Sequence, residues 1–143
     1  MFEKNFEGFL AELNGDFPEI KILRDVPLSD LTTYRVGGPA ALFIKVEDSS
    51  IFSSILRGLQ KFPIPVLLIG NGSNLLISDE GFKGIVLKLG NSFETIEIKE
   101  TTVKAGASAK LPVVARETVK FSLRGFEWAV GVPGTIGGAV RMN

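Results

Sequence analysis

Apolar residues recur along this chain in two rhythms, and the change between them near residue 41 divides it. Phe2, Phe6, Phe9, Leu10 and Leu13 fall at helical spacing, with acidic residues early and Asn14-Gly15 as a stop. That pattern predicts an amphipathic helix within residues 1–19. Residues 20–23 predict a short strand, and residues 27–39 an irregular connection ending in Gly37-Gly38-Pro39. From Ala41 to Val46 the chain is almost continuously apolar, as a strand buried on both faces would be. Asp48 or Ser49 can then cap a helix carrying Ile51, Phe52, Ile55, Leu56 and Leu59 on one side, with Pro63 and Pro65 ending it. Residues 66–69 predict a second buried strand. A third follows at residues 85–89, after the turn at Asp79-Glu80-Gly81.

Beyond residue 92 the pattern becomes half-solvated. Phe93, Ile96 and Ile98 set against Glu94, Glu97 and Lys99 predict a strand with one wet face, and residues 101–107 its hairpin partner. Ser108 can cap a helix with Pro112 in its first turn, Val114, Ala115, Val119 and Leu123 buried, and Gly125 as its C-cap. The expected class is α+β (α/β), with no internal repeat and no low-complexity linker.

Two glycine-rich turns interrupt this framework. The first, Gly70-Asn71-Gly72-Ser73-Asn74-Leu75, directly follows a predicted strand. Strand–helix–strand units place ligand loops at the carboxyl ends of strands, which is where it falls. The second, residues 131–139, contains Gly131, Pro133, Gly134, Thr135, Gly137, Gly138 and Ala139. Glycines let backbone amides crowd around an anion, because no Cβ blocks close approach. Two such turns can grip a pyrophosphate from both sides. Each has an alternative reading: Asn-Gly is a common hairpin turn, Asn74 could close an Asx-turn, and the second stretch could be a close-packed strand crossing. Neither turn fits the nucleoside-triphosphate P-loop. Nor is there an ordinary Rossmann fingerprint, since Leu75 stands where Gly-x-Gly-x-x-Gly needs glycine.

Composition narrows the chemistry. There is no cysteine and no histidine. Disulfides, thiolate catalysis and Cys-ligated metal or iron–sulfur sites are therefore excluded, and the commonest general base is missing. The expected metal site is none. Formal net charge is zero, which gives no electrostatic case for nucleic acid or an anionic membrane. The balance is uneven, however: residues 1–100 carry a net −4 and residues 101–143 a net +4. A basic C-terminal third suits an anionic ligand, or is ordinary scatter. No apolar run approaches the roughly 18 residues of a membrane span, and the N-terminus lacks the pattern of a signal peptide. The expectation is a soluble, cytoplasmic protein.

The two turns and their flanks resemble a known family. Residues 66–84 resemble the first flavin-pyrophosphate segment of the UDP-N-acetylenolpyruvoylglucosamine reductases (UDP-N-acetylmuramate dehydrogenases). Leu31-Thr-Thr-Tyr-Arg-Val-Gly-Gly-Pro39 resembles the segment upstream, and residues 125–143 the second flavin segment. Order and spacing also match, over about residues 20–143.

The resemblance implies the FAD-binding fold of the vanillyl-alcohol oxidase/PCMH type, two α+β subdomains clasping FAD. Residues 20–91 would form the first, and residues 92–143 would begin an incomplete second. FAD's pyrophosphate would lie on the amides of Gly70 to Leu75, helped by Ser73 and Asn74, with Gly131 to Ala139 along the flavin end. Tyr34 and Arg35 match a segment near the cofactor; Arg35 could instead form a surface ion pair. In the family NADPH is the hydride donor, and the flavin passes hydride to the enolpyruvyl group of a nucleotide-sugar, yielding a peptidoglycan precursor. The family's catalytic Arg, Ser and Glu match no residue here, so the expected catalytic set within this chain is empty and the chain alone is expected not to turn over. Arg141 belongs to another motif, and Asn143 would open a further family segment. The nucleotide-sugar would be met through a domain this sequence does not contain. An uncovered second subdomain implies possible self-association. The alternatives are another FAD oxidoreductase of the same fold, against which the missing His and Cys anchors argue, or a non-catalytic nucleotide-binding module.

Overall fold

The computed structural model describes residues 2–142, with Phe2 as backbone only. The Phe2 position on the apolar helix face and the segment expected to open at Asn143 therefore lie outside the described residues. The elements run α1 (Phe2–Asp16), β1 (Ile22–Pro27), β2 (Pro39–Val46), α2 (Ser49–Lys61), β3 (Val66–Ile69), β4 (Phe82–Leu89), β5 (Ile96–Lys99), β6 (Thr102–Ala105), α3 (Leu111–Lys120) and α4 (Ile136–Met142). Short 3-10 turns stand at Leu28–Leu31, Asn91–Phe93 and Glu127–Gly131.

Four strands form a mixed sheet in the order β1-β2-β4-β3. β2, β4 and β3 are mutually parallel, and β1 runs antiparallel along β2, pairing Ile22 with Ile44 and Val26 with Ala40. The central strands are buried on both sides, as the unbroken apolar run of β2 requires. On one face Leu42, Ile44, Val46, Ile85 and Leu87 meet Phe6, Phe9, Leu10 and Leu13 of α1 and Ile55 of α2. On the other, Phe43, Val86 and Ile69 meet Leu28, with Leu31, Leu75 and Ile77 packed around them. The first face is covered by helices and the second by irregular chain.

Several sequence expectations shift. α1 does not stop at Asn14-Gly15. Phe17 still donates to the Leu13 carbonyl at 2.9 Å, continuing the helical ladder, and Asp16 accepts from Ser54 of α2 at 2.6 Å, a tertiary bond that offsets a glycine penalty of about 1 kcal/mol. The strand expected at residues 20–23 begins at Ile22 and continues to Pro27, because its pairing with β2 extends that far. β3 is an edge strand, and its Val66 and Leu68 side chains are exposed rather than buried. Leu56 on α2 is likewise exposed. The α2 cap is Asp48, whose carboxylate accepts from the amides of Ser50 (2.8 Å) and Ile51 (3.1 Å). The Ser50 hydroxyl, first, and these amides hold its pKa below the ordinary value.

A tight link joins the first sheet to the second half of the chain. Gly90 donates to the Val46 carbonyl at 2.7 Å, and Phe93 meets Phe52 of α2 edge-on at 6.2 Å. β5 and β6 then form a two-stranded hairpin. Ser108 does not cap α3: its hydroxyl donates to the Leu89 carbonyl at 3.2 Å, and Lys110 takes the cap position without a side-chain bond. α3 ends before Gly125. Ser122 takes the left-handed conformation (φ 58°) while Leu123 donates back to Thr118, a Schellman closure that places a serine where glycine is usual. Val119, expected to be buried, lies within α3 and is exposed. A cleft of about 730 Å³ opens between β6, α3 and the chain beyond, lined by Val103, Ala105, Val114, Leu123 and Phe126 with Arg124 among its polar residues.

Phe9 is 1% exposed and its ring lies against Gly58 of α2. Phe9→Ala is expected to destabilise the chain by about 3–5 kcal/mol, read as a lower midpoint of urea unfolding. The lowered pKa of Asp48 means that its support of α2 is complete above its ordinary value of 3.8 and is lost as pH falls through the lowered one. Asp48→Asn keeps a cap oxygen and is expected to flatten the acid limb of a stability-against-pH curve.

Candidate functional site

β3 ends at Ile69, and residues 70–81 then travel back across the sheet to the start of β4 without forming a helix. Leu75 and Ile77 pin this return to the second core face. Between those pins and β3 lies the first glycine turn. Gly72 sits at φ 64°, and a Cβ there would stand 2.0 Å from the Leu31 carbonyl oxygen. Only glycine admits both the left-handed backbone and that approach. The Gly72 carbonyl accepts from the Thr33 amide at 3.1 Å, so the connection 31–35 is docked on the turn. Thr32 is buried beneath it, its hydroxyl donating to the Val36 carbonyl at 3.1 Å. Tyr34 and Arg35 project from this docked segment, both exposed, and Arg35 holds a left-handed φ of 53°. Among the described residues Arg35 has no ion-pair partner, so the alternative of a surface salt bridge is not realised.

The amides of Asn71, Gly72, Ser73 and Asn74 find no acceptor among the described residues, and no hydrogen bond engages the Asn71, Ser73 or Asn74 side chains. Asn74 thus closes no Asx-turn. The turn presents a run of uncommitted donors at the carboxyl end of a parallel strand, the arrangement that holds an anion.

The second turn is built differently from the sequence expectation of one open loop. Glu127–Gly131 is a 3-10 turn, and Gly137, Gly138 and Ala139 belong to α4. Their amides are already committed: Gly137 donates to Ala107 (2.8 Å), Gly138 to the Thr135 hydroxyl (3.2 Å), and Ala139 to the Thr135 carbonyl (2.9 Å). Only Gly134 and Thr135, in the strand-like bridge with Lys110, leave their amides without an acceptor among the described residues. Gly131 has open space around its α carbon, and Pro133 is exposed. At the entry, Glu127 accepts from the Gly125 amide at 2.7 Å, and its own amide, together with this one, holds its pKa below the ordinary carboxylate value.

The two turns meet at one point. A Cβ on Gly70 would lie 2.8 Å from Thr135 Oγ1. Sequence reasoning singled out both residues but could not place them together, because nothing in either motif encodes a contact across 65 residues of chain. It also missed Ala107, Ala109 and Leu111, which anchor the second turn through backbone atoms and therefore leave no side-chain signature. No group of His, Cys, Asp and Glu able to hold a metal occurs among the described residues.

Comparison with known proteins supplies a class of ligand. Residues 40–143 match the family model described as an FAD binding domain. The chain is 40% identical over 125 residues to a UDP-N-acetylenolpyruvoylglucosamine reductase of Clostridioides difficile, covering 87% of this chain and 40% of that protein. It is 45% identical over 124 residues to the reductase of Phenylobacterium zucineum, covering 86% of this chain and 41% of the relative. A crystal structure of the reductase from Thermus caldophilus superposes with a TM-score of 0.68 at 34% identity, over 87% of this chain and 42% of that one. The chain therefore spans about two-fifths of the length of these relatives.

Gly72→Ala combines a left-handed φ with a backbone clash and is expected to destabilise the chain by more than about 2 kcal/mol. Gly15→Ala, where a Cβ meets nothing within 4 Å, serves as the control and is expected to hold or slightly raise the melting temperature.

Proposed function

The chain belongs to the FAD binding domain family, and from that premise we propose that it is the flavin-holding part of a UDP-N-acetylenolpyruvoylglucosamine reductase. One observation carries the reading: the amides of Asn71 to Asn74 and those of Gly134 and Thr135 find no acceptor among the described residues, and the two turns come together at Gly70 and Thr135. FAD fits this donor set, because a pyrophosphate is rich in acceptors and both turns hold amides without a partner among the described residues. Ser73 would add a hydroxyl and Asn74 an amide. Tyr34 and Arg35 stand on the segment docked against Gly72, where an aromatic face and a fixed cation can border an anionic cofactor. Gly137, Gly138 and Ala139 serve the site by building the turn rather than by donating to the ligand.

When bound, FAD would supply the hydride chemistry that the reductase name implies, with NADPH as the donor and the enolpyruvyl ether of a nucleotide-sugar as the acceptor. This chain's own share is binding and orientation. It has no histidine, and the lowered carboxylate at the entry of the second turn, Glu127, is held by the amides of Glu127 and Gly125. Substrate reduction and the proton that completes it are assigned to the whole protein, of which residues 20–91 and 92–143 would be the two flanks of the cofactor. A cytoplasmic setting, where NADPH and nucleotide-sugars are made, agrees with this reading. No helix among the described residues is long and apolar enough to cross a membrane.

The test is an FAD titration of the purified chain followed in the visible spectrum, with its mass checked in the same sample. One equivalent of bound flavin is expected. Replacing both Ser73 and Asn74 by alanine is expected to weaken binding by about tenfold or more, the scale of hydrogen bonds to a charged group. A folded chain that leaves the FAD spectrum unchanged refutes the reading.

A further inference from the structure

Gly70 is not a glycine for the sake of its backbone. Its φ lies outside the left-handed region, unlike that of Gly72 or of Gly134 (131°). Space is what requires glycine here, and Thr135 fills that space: Oγ1 would stand 2.8 Å from a Cβ at residue 70, Cγ2 3.6 Å and Cβ 3.8 Å. Thr135 cannot easily yield. It is 4% exposed, its hydroxyl accepts from Gly138 and its carbonyl from Ala139. On either side of it Leu111 donates to Gly134 (3.1 Å) and Ile136 to Ala109 (2.9 Å). The residue is thus fastened to the second half of the chain by its neighbours and touches the first half at a bare α carbon.

We propose that Thr135 is a positioning residue: its side chain, seated on Gly70, sets the separation of the two glycine turns. This differs from direct contact with the cofactor, the role its motif suggested, and it rests on reading the paired turns as the flavin cradle. Donors aimed at an anion lose much of their value when displaced by an ångström, so a contact that fixes spacing acts on affinity without touching the ligand. It also accounts for a hydroxyl residue at a site shielded from solvent. Oγ1 accepts from the Gly138 amide in the first turn of α4, and this bond holds the rotamer that faces Gly70.

The experiment is a double-substitution cycle on the whole chain, read by FAD titration and by melting temperature without flavin. Gly70→Ala is expected to weaken FAD binding by at least about tenfold through the displaced second turn, with a smaller loss in ligand-free stability than Gly72→Ala. Adding Thr135→Ala removes Oγ1 and Cγ2 and leaves only an ordinary 3.8 Å contact, so the double variant is expected to recover most of the affinity lost. Thr135→Ser retains Oγ1 and is expected not to rescue. Additive losses in the Gly70→Ala/Thr135→Ala pair, equal rescue by serine, or wild-type affinity in Gly70→Ala would each overturn the proposal. If the unsubstituted chain binds no flavin, the cofactor reading fails on its own. The contact is then decided by ligand-free melting temperatures, where rescue by alanine sustains it and additivity overturns it.

Discussion

Adjacent parallel strands have to be joined by a chain that travels the length of the sheet, and usually a helix makes that journey with its backbone satisfied internally. Between β3 and β4 the journey is made by residues 70–81 as irregular chain. That constraint produces most of what is distinctive here. A segment without a ladder or a helix must place its amides elsewhere, and those of Asn71 to Asn74 go to no acceptor among the described residues. The same segment must also close the second face of the sheet, which it does with Leu75 and Ile77. Core cover and unpaired amides therefore alternate within a few residues of one another.

The second half of the chain is subordinate to this edge. Its hairpin is short and its core small, with Leu111, Ala115 and Ala129 at the centre. It presents one feature to the first half at the candidate site, the loop at Gly134 and Thr135. Everything nearby serves that loop: the bridge to Lys110, the amides given to Ala107 and Ala109, and the helical turn that begins at Ile136. The glycines of the second turn are not alike. Gly134 supplies an unusual backbone angle, Gly137 a close approach to Ala107, and Gly131 neither.

Much of this was legible beforehand where one periodicity or one local bond decides the outcome. α1, β2, α2 with its Asp48 cap, β4 and the β5–β6 hairpin follow from apolar spacing and a capping carboxylate. The readings that failed depended on neighbours. β3 looked buried because Val66 to Ile69 is apolar, yet strand order leaves it at an edge. α3 was expected to run towards Gly125, but Ser122 accepted the left-handed angle first. The resemblance of the two motifs pointed to FAD, and the family match bears that out. Motifs could not convey which amides remain free once the turns are folded, or that Gly70 and Thr135 touch. Those are properties of the packed backbone.

The helixless return has a thermodynamic consequence of its own. Because residues 70–81 are at once a wall of the core on the second face of the sheet and the bearers of the free amides, ligand occupancy and folding would share one mechanical part. An anion that immobilised Ser73 and Asn74 would also hold Leu75 and Ile77 against Phe43 and Val86. On the reading proposed above, binding free energy would thereby reach the sheet through this segment, and the sheet's resistance to opening would be a gauge of how much cofactor the surroundings contain.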